Sequence, residues 1–109
     1  MAGEYVYIWS FQVKPGCEPL FERIYGADGA WVQLFRKANG YVKTELIKHK
    51  AVANRYVTID YWQDEASHQH FRSQYAQEFS ELDARCEDLT ESEEHLGDFV
   101  AVENSLKPA

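Results

Sequence analysis

The sequence has 109 residues, 15% of them aromatic, and a formal net charge of −7 from 18 acidic and 11 basic side chains. This length fits a single domain, which we expect over residues 1–109 with a core between about residues 4 and 103. The negative charge argues against nucleic acid or an anionic membrane as a partner. No stretch approaches about 18 consecutive apolar residues, and the N-terminus lacks the features of a signal peptide, so we expect a soluble, cytoplasmic protein.

The first part of the chain predicts a strand, a helix and a second helical turn. Residues 4–13 are rich in β-branched and aromatic types, and proline and glycine at 14–16 favour a turn after them. Residues 18–25 carry apolar side chains at helical spacing, which predicts the first helix. Asp28 is expected to cap the second turn. The apolar face of that turn would carry Trp31, Leu34 and Phe35.

A β-hairpin is predicted in the middle of the chain. Residues 41–50 and residues 55–62 both have the composition of strands. The link between them is short, and a short link favours an antiparallel pair.

The rest of the chain predicts a long helical region and a last strand. Residues 64–89 carry one apolar stripe at helical spacing. We expect a break near residues 73–77, because a straight helix of that length would be longer than the strands it covers. Thr90 and Glu93 match a capping box and predict one further helix before a fourth strand at residues 98–103.

The order strand, helix, strand, strand, helix, strand is the βαββαβ pattern of the ferredoxin-like α+β class, with a four-stranded antiparallel sheet and both helices on one face. In the first strand the odd positions from Tyr5 to Val13 are apolar, and so are Val6 and Ile8 on the opposite face. A strand with one wet face would alternate apolar and polar residues. We therefore predict a homodimer in which a second copy covers the helix-free face.

Four segments of the sequence carry a family resemblance: FQVKPG, DGAWVQLFRKANGYVKTEL, RYVTIDYW and DEASHQHF. Together they resemble the antibiotic biosynthesis monooxygenase family of the dimeric α/β-barrel superfamily, over roughly residues 5–103. The resemblance implies a homodimer whose two sheets form a barrel, with a pocket between each sheet and its helices. It also implies one of the family's activities, which include cofactor-independent oxidation of polycyclic phenols and haem degradation, although many members have no assigned activity.

The haem-degrading activity implies particular residues. By the resemblance, those enzymes carry an asparagine on the first strand and a tryptophan and an iron-binding histidine on a helix. The matching positions here hold Trp9, Phe71 and Glu81, so none of the three is kept. Because a carboxylate is a poor axial ligand for haem, this activity is disfavoured and we expect no cofactor.

Candidate site residues come from the aromatic side chains and from one histidine. Trp9 and Phe71 correspond to pocket positions of the family, and the other candidates share a helix face. The predicted substrate-binding walls are Trp9, Tyr25, Trp31, Phe71 and Tyr75. His68 is the candidate catalytic base, since histidine titrates near neutral pH. Further polar candidates are His49, Arg55 and Arg72. The alternative is that the aromatic residues are ordinary core and the histidine is packed or solvated.

The histidines and cysteines do not predict a metal site. His68 and His70 are two positions apart, so on a helix their side chains point in different directions and cannot share one ion. Asp64 stands where a helix N-cap belongs, which explains this stretch as a capped turn between a strand and a helix. Cys17 and Cys86 lack the spacing of a zinc site or a redox pair, so we expect two reduced thiols.

Three functions stay open on these observations. The first is a small, homodimeric, cofactor-independent monooxygenase for an aromatic or quinone-like molecule. The second is a non-catalytic dimeric binding or structural module of the same fold, and the third is the disfavoured haem degradation. A closed site for a drug-sized ligand needs roughly 300 Å³. The volume of any cavity beside Trp9 therefore separates the first two.

Overall fold

The computed structural model describes residues 3–102 and contains one sheet with helices packed on one of its faces. The strands are β1 (Tyr5–Val13), β2 (Tyr41–Lys48), β3 (Arg55–Trp62) and β4 (Thr90–Val100). The helices are α1 (Glu18–Tyr25), α2 (Ala30–Phe35), α3 (Glu65–Gln74) and α4 (Ala76–Cys86), and a single 3₁₀ turn (Glu87–Leu89) follows α4. Residue 103, the expected end of the last strand, lies outside the described residues.

The four strands form an antiparallel sheet in the order β2-β3-β1-β4. The predicted ferredoxin-like α+β fold is therefore confirmed. Strand β1 is central, and its odd-numbered side chains face the helices together with the even-numbered side chains of β3, because Tyr7 pairs with Asp60 and Trp9 pairs with Thr58. This shared face, covered by the helices, contains the core and the cavity described below.

The caps of two helices show where local sequence decides the structure and where it does not. Asp64 caps α3 as predicted, because its Oδ1 accepts a hydrogen bond of 2.8 Å from the backbone N–H of Ser67. This bond holds the pKa of Asp64 below its usual value. The predicted cap of α2 by Asp28 is wrong, since α2 starts from Gly29 without a side-chain cap. A Cβ atom on Gly29 would lie 2.1 Å from the carbonyl oxygen of Ile24, so this tight turn requires glycine.

The predicted break in the long helical region is confirmed at Tyr75, which separates α3 from α4. Its backbone leaves the helical conformation, with φ −111° and ψ 30°, while its N–H still donates to the carbonyl of Phe71. The chain therefore bends without leaving that amide unpaired.

The prediction of a helix at residues 90–97 is wrong. Strand β4 instead runs from Thr90 to Val100 and pairs with β1 along its length, from Val13 opposite Thr90 to Tyr5 opposite Val100. A ladder of backbone hydrogen bonds outweighs a capping signature worth about 1 kcal/mol. The register shifts near Gly97, whose φ of 147° suits glycine, and this bulge leaves an extra residue in β4.

The face of the sheet without helices is apolar over much of its area. We call it the open sheet face and define it by Ile8, Ile59, Ile47 and Phe99. Ile8 and Ile59 are opposite each other in the register of β1 and β3 and are half-buried. On the outer strands, Ile47 is 52% exposed and Phe99 is 47% exposed. The two apolar faces expected of β1 are therefore present.

Candidate functional site

A cavity of about 260 Å³ lies between the sheet and the helices. Its walls are mostly aromatic. The strands contribute Tyr7, Trp9, Phe11 and Trp62, and the helices contribute Tyr25, Trp31, Phe35, Phe71 and Phe79. The volume is slightly below the roughly 300 Å³ at which sites for drug-sized ligands begin, and far above the roughly 30 Å³ that one water molecule takes up. The cavity can therefore hold a small ring system.

The predicted aromatic residues fall into two groups. Trp9, Tyr25, Trp31 and Phe71 all line the cavity. Tyr75 is not part of the lining. It stacks against the ring of Phe71, with centroids 5.7 Å apart, and its hydroxyl donates to the carbonyl of Lys37 at 3.1 Å.

His68 reaches the cavity from α3 and is 8% exposed. Its ring packs among Tyr7, Tyr5 and Trp62, at centroid distances of 4.5, 5.2 and 5.3 Å. Within residues 3–102, neither ring nitrogen has a hydrogen-bond partner. Burial, with a smaller contribution from the charge of Arg72, lowers the pKa of His68 to about 4. The imidazole is therefore neutral at pH 7. His68 was chosen as the base because histidine usually titrates near neutral pH, and that reason does not apply in this site.

Asp60 is the ionisable group that sequence reasoning missed. It lies on β3, is 8% exposed and lines the cavity. The hydroxyl of Thr44 donates to Asp60 Oδ1 at 2.7 Å, and the hydroxyl of Tyr41 donates to Thr44 Oγ1 at 2.9 Å. Burial raises the pKa of Asp60 to about 7, although the bond from Thr44 acts in the opposite direction. The carboxyl group is thus part-ionised near neutral pH.

The sequence carried a signal for this residue. Asp60 has the same parity in its strand as Tyr56, Thr58 and Trp62, all of which are buried. An acidic residue on the core side of a strand is uncommon unless it has a partner or a function.

The other polar candidates lie elsewhere, with one exception. His49 and Arg55 do not line the cavity. His49 Nδ1 accepts hydrogen bonds from the backbone N–H groups of Ala51 and Val52, and the side chain of Arg55 donates to that of Gln12. Arg72 does line the cavity.

His70 is exposed on α3 and does not line the cavity. Within the described part of the chain, no three His, Cys, Asp or Glu side chains come together in a way that could hold a metal ion.

The model of the antibiotic biosynthesis monooxygenase family matches residues 5–82. The chain belongs to this family. Among curated proteins, none matches the sequence. No helix within residues 3–102 has both the length and the apolar character needed to cross a membrane.

Several solved structures are similar to this chain in fold. SnoaB, a cofactor-independent oxygenase from Streptomyces nogalater, is 23% identical, and the match covers 97% of this chain and all of SnoaB with a TM-score of 0.72. PA3566 from Pseudomonas aeruginosa is 17% identical, with 94% and 97% covered and a TM-score of 0.68. A conserved protein from Methanosarcina mazei Go1 is 14% identical, with 89% and 91% covered and a TM-score of 0.67. At these identities the likeness concerns the fold.

Proposed function

We propose that this family member is a cofactor-independent monooxygenase that oxidises a small aromatic or quinol-like compound in the aromatic cavity. The observation that carries the proposal is Asp60, a buried carboxyl group with a pKa of about 7 that faces a space large enough for a small ring system. A general base works best when its pKa lies near the operating pH. Family membership and the fold shared with the oxygenase SnoaB support the same activity.

The chemistry requires little from the protein beyond binding and proton transfer. Asp60 removes the hydroxyl proton of a phenol or enol, so that negative charge spreads onto a conjugated ring carbon that carries hydrogen, and the resulting anion gives one electron to O₂. The substrate radical and superoxide then combine to form a C–O bond, and protonated Asp60 returns its proton to the peroxide. Loss of water leaves a carbonyl. In sum, the ring C–H, the hydroxyl group and O₂ are converted to two carbonyl groups and H₂O without an external reductant.

Other residues of the cavity have supporting roles in this proposal. Trp9, Tyr25, Trp31 and Phe71 would hold the ring of the substrate between them, as their position in the lining allows. The neutral imidazole of His68 would donate a hydrogen bond to a substrate oxygen, because its nitrogens have no partner among the described residues.

We also propose that the chain acts as a homodimer through the open sheet face. Ile47 and Phe99 would lose their exposed apolar area to a second copy, at about 25 cal/mol per Å² buried. Pairing by a twofold axis would bring the same face of each copy together.

Cys17 and Cys86 are both free thiols, which suits the reducing cytoplasm.

Oxygen consumption tests the proposed activity. The purified protein is mixed with 1,4-dihydroxynaphthalene or anthrone at pH 7.5 in an oxygen electrode, and the rate without protein is subtracted. We expect Asp60→Asn to lose about 10²-fold or more of the rate, as is typical for a general base. Asp88→Asn is the matched control, since Asp88 is exposed and lies outside the cavity lining. A full rate in folded Asp60→Asn would contradict the role of Asp60, and binding without oxygen uptake would contradict the enzymatic function.

A further inference from the structure

Trp9 lies at the middle of β1 and lines the cavity, but the core does not bury it completely. The other two tryptophans, Trp31 and Trp62, also line the cavity, and they are 7% and 1% exposed. Trp9 is only half-buried. An indole is usually well covered in a core, so the uncovered surface of Trp9 beside the cavity is available to a ligand.

The side chains beside Trp9 on the same face of the sheet are small on one side. In the register, Trp9 is opposite Thr58 on β3 and opposite His95 on β4. Asp60, two residues after Thr58 on the same face, lines the cavity together with Thr44 of β2. The cavity floor next to Trp9 is therefore made of small side chains, and the indole forms a wall towards β4.

A bulge in β4 places a fixed neighbour behind this wall. His95 and Asp98 are three positions apart, so in a regular strand they would point to opposite faces. The register shift puts His95 opposite Trp9 and Asp98 opposite Tyr7, on one face. His95 Nε2 lies 2.8 Å from Asp98 Oδ1, and the other oxygen of Asp98 accepts a hydrogen bond of 2.5 Å from the hydroxyl of Tyr5. The imidazole held in this way stacks on the indole, with centroids 5.2 Å apart and ring planes at 25°.

The volume of the cavity suits a ligand of two fused rings. A cavity of about 150 Å³ holds one benzene ring, which corresponds to about 25 Å³ for each ring atom. On this scale two fused rings need about 250 Å³ and three fused rings need about 350 Å³. The cavity of about 260 Å³ therefore has room for the second ring but not for the third.

We propose that Trp9, held in place by His95, sets the size limit of the cavity, so that the ligand is a hydroxylated aromatic compound of one or two rings. The placement of the hydroxylated ring beside Asp60 rests on the proposed function, but the size limit does not. Replacing Trp9 by alanine would remove the wall beside the small floor and open the space as far as His95. A third ring would then fit.

A series of quinols with one, two and three rings tests this inference. Hydroquinone, 1,4-dihydroxynaphthalene and 1,4-dihydroxyanthracene share one dihydroxylated ring and differ in the number of rings fused to it. Binding is measured by calorimetry without oxygen, so that oxidation does not interfere. We expect the two-ring compound to bind about tenfold more tightly than hydroquinone, because its second ring buries more apolar surface. The three-ring compound should bind at least about tenfold more weakly than the two-ring compound.

Substitutions of Trp9 locate the limit. Trp9→Ala should bind 1,4-dihydroxyanthracene about tenfold more tightly than the wild type does. Trp9→Phe keeps a smaller ring and should give an intermediate gain, which keeps the test available if Trp9→Ala folds poorly. Tyr75→Ala is the matched control, because it also truncates an aromatic side chain that packs near the cavity, but Tyr75 does not line it. This control should keep the preference for two rings.

His95→Ala tests whether the imidazole holds the indole in place. Without its stacking partner the indole can turn towards β4, so the affinity for 1,4-dihydroxyanthracene should rise, by less than in Trp9→Ala. An unchanged affinity in folded His95→Ala would overturn the role of His95. A wild type that binds three rings as tightly as two, or equal gains in Tyr75→Ala and Trp9→Ala, would overturn the size limit.

The size limit and the monooxygenase activity can fail separately. A preference for two rings over three without oxygen uptake would uphold the size limit and contradict the monooxygenase. Oxygen uptake by the wild type that is as fast with 1,4-dihydroxyanthracene as with 1,4-dihydroxynaphthalene would contradict the size limit and leave the monooxygenase in place.

Discussion

Removing the hydroxyl of Thr44 should raise the pKa of the base. In the wild type this hydroxyl donates to Asp60 Oδ1 at 2.7 Å, and the bond lowers a pKa that burial has raised to about 7. Thr44→Val keeps the shape of the side chain but removes the donor. A hydrogen bond to a charged group contributes about 1.5–3 kcal/mol, and about 1.4 kcal/mol corresponds to one pH unit. The pKa of Asp60 should therefore rise from about 7 to about 8 or 9.

The pH dependence of kcat/KM measures this change. Asp60 acts as a base only when ionised, so the rate falls as the pH drops through its pKa. The midpoint of this fall should lie near pH 7 in the wild type and about one to two units higher in Thr44→Val, with similar rates at high pH. Thr44→Ser keeps the donor and should restore the wild-type profile. An unchanged midpoint in folded Thr44→Val would refute the assignment of Asp60 as the base that Thr44 controls.

Three further outcomes follow from the structure. Because the folded-state pKa of Asp60 is about 7 against an ordinary value of 3.8, the protein should lose stability as the pH rises from about 4 to 7. Asp60→Asn should abolish this loss and be more stable than the wild type at pH 8 by up to about 4 kcal/mol in urea unfolding. If the free energy of unfolding of the two proteins fell equally with pH, the raised pKa would be contradicted. Light scattering should give twice 12.7 kDa for the wild type. Phe99→Asp should reduce this mass to that of one chain. Leu20→Asp is the control, because Leu20 is similarly exposed but lies on α1, and it should leave the mass unchanged. A monomeric wild type would contradict the dimer. Titration with haemin should give no red-shifted Soret band, since Glu81, at the position of the haem ligand, is exposed and does not line the cavity.

The sequence by itself determined the features that depend on neighbouring residues. Apolar residues at both odd and even positions of β1 predicted its two apolar faces, and the length of the stripe over residues 64–89 predicted a helical region with a break, which lies at Tyr75. The cap at Asp64 also formed as expected, because its partner is only three residues away. These features need no knowledge of distant parts of the chain.

Tertiary structure decided the features that depend on distant residues. Residues 90–97 became a strand because β1, far away in the sequence, offered a complete set of hydrogen-bond partners. Asp60 acquired a pKa near 7 because the packing of helices against the sheet buries it, while Thr44 on a neighbouring strand supplies the hydrogen bond. A local pattern fixes which way a side chain points, but the free energy of its charge depends on everything that packs around it.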